Sequence, residues 1–176
     1  MNRGSVNVIT AGPSAGKSST IRELSARGYQ TLPEAARILF DQRISEGDDP
    51  ETVREEPDFH EQVESIDKRI ESNIPSDEPV FLDRALADNL AYRTHFGNDT
   101  VARYDTIRDT VYSRYDNVFM LDRLTFEDDA VRSEDEQEAQ ALHELLVQTY
   151  SELECDVYTV PLKPVDERVE FILDRI

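Results

Sequence analysis

The stretch Val6-Asn7-Val8-Ile9-Thr10-Ala11-Gly12-Pro13-Ser14-Ala15-Gly16-Lys17-Ser18-Ser19 decides how the rest of the chain is read. Its first five residues are a strand-like apolar run. A short loop with two glycines follows, and Ser19 to Arg27 reads as a helix. Strand, glycine-bearing loop and helix, closing on Gly-Lys-Ser, are what a phosphate-binding P-loop requires. In such a loop the backbone amides turn inward as a nest, and the helix N-terminus adds the positive end of its dipole. Gly12, Pro13, Ser14, Ala15, Gly16, Lys17, Ser18 and Ser19 are therefore the candidate nucleotide-binding residues. Lys17 would reach the β- and γ-phosphates, and the Ser18 hydroxyl would ligate Mg²⁺. The first glycine of the usual pattern is Ala11 here, which fits if that position has an ordinary negative φ. A small-residue turn that happens to contain a lysine is the bland alternative, and the flanking strand and helix argue against it.

Outward from this loop, five apolar runs read as strands: Val6–Thr10, Tyr29–Leu32, Val80–Leu82, Val118–Leu121 and Val157–Val160. Helical stripes lie between them. Phe59, Val63, Ile66, Ile70 and Ile74 recur every three to four residues, as do Tyr104, Ile107, Val111 and Tyr115. Leu142, Leu146, Thr149 or Tyr150, and Leu153 form a third stripe, and Val165, Val169, Ile172 and Ile176 a fourth, with Pro164 suited to its first turn. Each stripe reads as core. Strands alternating with helices imply an α/β fold, a parallel sheet covered on both faces by right-handed crossovers. Residues 1–176 read as one domain. Residues 46–57 and 125–137, rich in acids, look like mobile segments outside the core, the second of them a lid.

Charge sets further bounds. The chain holds 38 acidic residues against 19 basic ones, a formal charge of −19, and its only lysines are Lys17, Lys68 and Lys163. So acidic and lysine-poor a surface reads as salt-adapted, or halophilic, because high ionic strength screens self-repulsion; an ordinary acidic protein is the alternative. A nucleic-acid backbone is a poor partner for it. The lone Cys155 excludes an internal disulfide, and no Cys/His cluster has zinc spacing. No signal-peptide-like run and no membrane-spanning stretch appears, so the chain reads as soluble and cytoplasmic.

In an open α/β sheet, ligands bind beyond the carboxyl ends of the strands. Asp83-Arg84 follows the third run and Asp122-Arg123 the fourth. Either aspartate could be the acid on the metal side or the acceptor of a substrate proton, and either could instead be a helix cap. Asn89, Tyr92 and Arg93 follow the first pair as pocket-lining groups. Glu34 and Arg37, three apart after the second strand, bring an acid and a base to one helix face; as a surface pair they would contribute only ~0.2–0.5 kcal/mol. Arg132, alone in the acidic segment, either closes over a transferring phosphate or merely offsets its neighbours.

These residues resemble the P-loop ATPase family, often described as AAA-domain ATPases, built around the nicotinamide riboside kinase domain of NadR-type proteins. The resemblance rests on Gly12 to Ser18, Glu34-Ala35-Ala36-Arg37, Asp83-Arg84 with Asp88 and Ala91-Tyr92, Val131-Arg132-Ser133-Glu134, and Val160-Pro161 followed by Glu167-Arg168. It implies a three-layer P-loop NTPase fold of the nucleoside-monophosphate-kinase kind, with sheet order 2-3-1-4-5, ATP and Mg²⁺ as ligands, and Arg132 on a lid. The expected function is a small-molecule kinase phosphorylating a hydroxyl of a nucleoside-like or other small metabolite. Lys17, Asp83, Arg84 and Arg132 would be its catalytic residues, Ser18 and Asp83 its metal side, and Glu34, Arg37, Asp88 and Tyr92 its substrate contacts. A regulatory ATPase acting through a protein partner is the alternative. Ala85 stands where the family usually has glycine, which bears on the pocket beside the acceptor.

Overall fold

The computed structural model describes residues 4–13, 15–74, 77–96, 107–108, 111, 114–122 and 134–176, the side chains of 134–136 excepted. Ser14, Asn98 to Tyr104, Arg123 and Arg132, with the lid segment as far as 133, lie outside the described residues.

Five strands, β1 Val6–Thr10, β2 Gln30–Leu32, β3 Val80–Asp83, β4 Asn117–Leu121 and β5 Val157–Val160, form one sheet in the order β2-β3-β1-β4-β5. Every pairing is parallel. The P-loop strand β1 is central, with Ile9 level with Asp83 on one side and Phe119 on the other. Period-two alternation then deals each strand's side chains to opposite faces. Val6, Val8, Val80, Leu82, Val118 and Met120 face one cluster, while Ile9, Phe81, Phe119 and Leu121 face the other.

Helices cover both faces. On the first lie α5 (Leu86–His95) and α6 (Glu134–Glu152), packed on each other and contributing Leu86, Leu90, Leu146 and Tyr150. On the second lie α1 (Lys17–Ala26) and α7 (Val165–Leu173), contributing Leu24, Val169 and Ile172. This is a three-layer α/β domain with the P-loop NTPase topology. Pro164 sits one residue ahead of its expected place, as the N-cap of α7 with φ −49° and ψ 150°.

A third cluster joins α2 (Ala35–Glu46), α3 (Pro50–Arg54) and α4 (Phe59–Ser72). Here the structure departs from the reading of residues 46–57 as an insertion outside the core. Asp49 caps α3 by accepting from the Glu51 amide at 2.8 Å, with Pro50 opening the helix. That turn drives Val53 fully into the cluster, and an Arg43–Glu56 ion pair ties the segment back to α2. The acids and prolines that suggested a loop are helix punctuation around one buried valine.

Candidate active site

The loop after β1 ends at Gly16, which caps α1 with φ 81° and no side-chain hydrogen bond. Glycine takes this left-handed conformation without a Cβ penalty. A Cβ there would also lie 2.6 Å from Arg168 Nη1. That guanidinium donates from Nη1 to the Ala15 carbonyl at 3.0 Å and from Nε to the Lys163 carbonyl at 2.6 Å, bracing the loop from α7. The first amides of α1 have no cap, and the exposed Ser18 and Ser19 stand at that end, which suits an anion. Ala11 is fully buried in the α1–α7 core. Among the described residues only Arg84 and Glu154 are non-glycine residues with positive φ. Alanine therefore costs the loop nothing at position 11.

Lys17 is nearly buried, contacts Asp83 and lies 3.7 Å from Glu34 Oε2. Arg84 adopts φ 67°, which swings its guanidinium back over the strand end. Its Nε is 3.1 Å from Glu34 Oε1, and its Nη1 donates to Asp88 Oδ1 at 3.3 Å. The Nε–H is buried without an aligned hydrogen-bond partner among the described residues. The guanidinium carbon stands 4.8 Å from the centre of the Tyr92 ring, within cation–π range. Burial alone would lower the Arg84 pKa, but Tyr92, Asp88, Glu34 and Asp83 more than offset it and raise it. Burial in turn pushes the Tyr92 phenol up to about 12, with Arg84 opposing.

Asp88 is the hub beneath these groups. It accepts from the Thr10 hydroxyl, from Arg84, from the Ala85 amide at 3.0 Å and from the Tyr150 hydroxyl at 2.6 Å. One buried carboxylate thereby joins β1, the start of α5 and α6. Ala85 is extended, with φ −149° and ψ 178°, so nothing in its backbone calls for the family's glycine. One turn beyond, Glu71 of α4 accepts from the Leu86 amide at 2.9 Å and from the Tyr115 hydroxyl at 2.6 Å. Burial raises the Glu71 pKa, against those hydrogen bonds.

A cavity of about 730 Å³ opens beside this cluster, bounded by α2 to α6. Pro13, Glu34 and Arg84 form its loop end, and Phe40, Phe59, Tyr92 and Phe96 give it aromatic walls. His60 and Asn89 pair twice, Nδ1 to Oδ1 at 3.0 Å and Nδ2 to the His60 carbonyl at 2.9 Å. Burial lowers the His60 pKa, and the Asn89 Oδ1 opposite favours the tautomer with its proton on Nδ1.

The structure thus brings together Lys17, Asp83, Arg84, Glu34, Asp88 and Tyr92. It does not bring Arg37, which is exposed and pairs with Asp41 at 3.3 Å. Asp122 is exposed beyond β4, its amide donating to the Val160 carbonyl at 2.9 Å, while Asp83 meets the lysine. Sequence reasoning missed Thr10, Asp67, His143, whose Nδ1 accepts from the Gly12 amide at 3.4 Å, and the loop-bracing role of Arg168. Only Thr10, the last residue of the P-loop strand, carried a positional signal.

A central parallel strand, a left-handed glycine at the helix start and a lysine held by the neighbouring strand's acid define a domain of the P-loop NTPase fold. The chain belongs to the AAA domain family, which matches residues 6–168. No curated protein matches it by sequence. In fold it is similar to a NadR protein solved in complex with NR, at TM-score 0.71 and 18% identity over 97% of this chain and 49% of that one. It is also similar to deoxyadenosine kinase from M. mycoides with bound dATP, at 0.61 and 16%, covering 97% and 98% of the two chains. Thymidylate kinase from Candida albicans gives 0.63 and 13%, covering 98% and 90%. The chain spans about half the length of the NadR protein.

The donors fit a magnesium–nucleotide pair. Uncapped amides and Lys17 suit phosphate oxygens, and the Ser18 hydroxyl and Asp83 carboxylate are hard oxygen donors suited to Mg²⁺. Among the described residues no group of three or more His, Cys, Asp or Glu side chains could hold a metal ion by itself.

Proposed function

We propose that this chain is an ATP-dependent kinase that phosphorylates a hydroxyl of a small nucleoside-like acceptor. The observation that carries the reading is the cavity of about 730 Å³ opening directly beside the Lys17–Asp83–Glu34–Arg84 cluster. A nucleotide switch needs a water at its γ-phosphate, whereas a kinase needs room there for a second substrate. The proposal extends to the acceptor's charge. Among the described residues Glu34, Glu55, Glu56, Asp88 and Glu138 line the cavity, beside the un-ionised Asp67, against Arg54 and Arg84. Such a lining disfavours a phosphate-bearing acceptor and suits an uncharged nucleoside between aromatic walls.

In this reading the loop amides and Lys17 hold the β- and γ-phosphates of ATP. Mg²⁺, when bound by Ser18 and Asp83, neutralises charge on those phosphates. Glu34 is assigned to accept the hydroxyl proton as the acceptor oxygen bonds to the γ-phosphorus and ADP leaves, with Asp83 serving instead where its carboxylate does not ligate the metal. Arg84, whose buried Nε–H has no aligned acceptor among the described residues, orients that oxygen. Arg132 is retained as the lid residue that stabilises the transferring group.

The test is a coupled ADP assay with magnesium and ATP against a panel of nucleosides and nucleoside monophosphates. ADP release should rise strongly with at least one nucleoside and with no monophosphate, and Lys17→Ala should abolish it with the fold intact. A rate indifferent to every acceptor would overturn the reading in favour of a regulatory ATPase. The contact between the Gly12 amide and His143, on the helix that follows the lid segment, is the observation favouring that second reading.

A further inference from the structure

Asp67 differs from every other acid of the cavity. It sits midway along α4, only 6% exposed, and lines the hollow. Among the described residues no hydrogen bond or ion pair reaches its carboxyl group, whereas its neighbours on the same helical face are engaged. Glu64 pairs with Lys68 at 2.7 Å and with Arg93 at 3.8 Å, and Glu71 holds the Leu86 amide and the Tyr115 hydroxyl. Its carboxyl oxygens are not among the sealed, unpartnered atoms of the described residues, so they open on the hollow, and packing alone gives no reason for an aspartate here.

The charged groups that face it are Glu71 and Glu64 on its own helix, Asp88 on α5 and Glu34 before α2, with Arg84 lining the same cavity. Burial first, then those four carboxylates, holds the Asp67 pKa well above the usual range. In its un-ionised form a carboxyl group presents an O–H donor beside a C=O acceptor. The complement of that pattern is an amide-type edge, an N–H next to a carbonyl or ring nitrogen, carried on a flat ring of the size the aromatic walls admit.

We propose that Asp67 determines which acceptor the cavity takes, by pairing its carboxylic acid group with an amide-type edge on the acceptor's ring. This rests on the kinase reading above and adds a residue and a chemical class to it. Asp67 acts on acceptor binding and takes no part in the phosphoryl transfer.

The experiment compares wild type, Asp67→Asn and Asp67→Ala in steady-state kinetics at saturating magnesium and ATP. The probes are adenosine, cytidine, uridine and inosine, each with an amide-type edge, and phenyl riboside, which keeps the sugar and lacks any polar ring edge. Wild type should favour at least one nucleoside over phenyl riboside by about 10-fold or more in kcat/KM, the scale of one buried hydrogen-bonded edge. Asp67→Ala should bring that preference close to parity through the acceptor KM, with kcat and the KM for ATP nearly unchanged. Asp67→Asn keeps a donor beside an acceptor and should retain the preference. The proposal is overturned if the preference survives Asp67→Ala, if Asp67→Asn loses it as completely as Asp67→Ala, or if Asp67→Ala slows phenyl riboside equally. A wild type inert toward every probe removes the kinase reading, and Asp67's role with it; that failure is distinct because it precedes any substitution.

Discussion

Replacing Tyr150 with phenylalanine tests whether the Asp88 hub holds the site together. The hydroxyl donates to Asp88 Oδ2 at 2.6 Å, and both groups are buried. Burial beside Asp88 pushes the phenol pKa well up, so the hydroxyl remains a donor across the working range. Tyr150→Phe deletes one oxygen and keeps the ring, which packs with Leu146 and Leu153 in the core beneath α6. The carboxylate then keeps the Thr10, Arg84 and Ala85 donors and loses its fourth. A hydrogen bond to a charged group contributes about 1.5–3 kcal/mol net. At roughly 2–4 °C per kcal/mol for a domain of this size, the melting temperature should fall by about 3–12 °C. Urea unfolding checks the energy directly, with an unchanged m-value showing that the unfolded state is not what moved. Tyr158→Phe is the control, because among the described residues that hydroxyl has no hydrogen bond while its ring stacks on Phe119. If Tyr150→Phe falls within about 0.5 kcal/mol of wild type, as a neutral substitution does, the hub contributes nothing and the argument fails.

Two further outcomes follow from the geometry. Gly16→Ala forces a left-handed alanine, at roughly 1–2 kcal/mol, and drives a methyl group against Arg168; ATP titration should show binding lost, and unaltered affinity would contradict the assigned loop conformation. Asp67 and Glu71 have raised pKa values, so folding keeps protons that the unfolded chain releases; stability is full below their unfolded values and declines as pH climbs toward the folded ones. The melting temperature of Asp67→Asn should therefore exceed that of wild type by a margin that widens from pH 4.5 to 7.5, about the span above an ordinary carboxylate's titration, and a constant margin would refute it.

The sheet was legible almost to the residue because its strands are short apolar runs ending in polar groups. β1 and β5 match their expected bounds, and β2, β3 and β4 each differ by one residue. Parallel strands buried on both faces leave little else for Val80-Phe81-Leu82 or Val118-Phe119-Met120-Leu121 to be. Sequence order offered two acids, Asp83 and Asp122, after the two strands that flank the P-loop strand, and only the structure sets Asp83 against Lys17. What escaped were contacts made across layers. Tyr150 read as one more core residue of a helical stripe, and only the packing of α6 on α5 turns its hydroxyl toward Asp88. Glu34 and Arg37 looked like partners at helical spacing. Position 34 precedes α2 and bends toward Lys17, while position 37 lies on the helix's exposed side. Asp67 carried no local signal, because it occupies a helical face whose other members are paired acids.

That acidic face has a consequence for how a nucleotide reaches a chain with a formal charge of −19. At long range the field repels a polyphosphate, and salt weakens that repulsion beyond about 8–10 Å. At short range the balance reverses, because Lys17, Arg84, Arg168 and the uncapped amides of α1 gather beyond the carboxyl ends of β1 and β3. Two of these cations already lie against Glu34, and Lys17 against Asp83 as well. In the proposed reading an incoming phosphate competes with carboxylates for them, and the acids that neutralise the cations are also those proposed to receive the proton. A second anionic substrate would meet the same carboxylates with no P-loop of its own. In the proposed reading an uncharged acceptor avoids that conflict, which is the electrostatic argument for a nucleoside over a nucleotide.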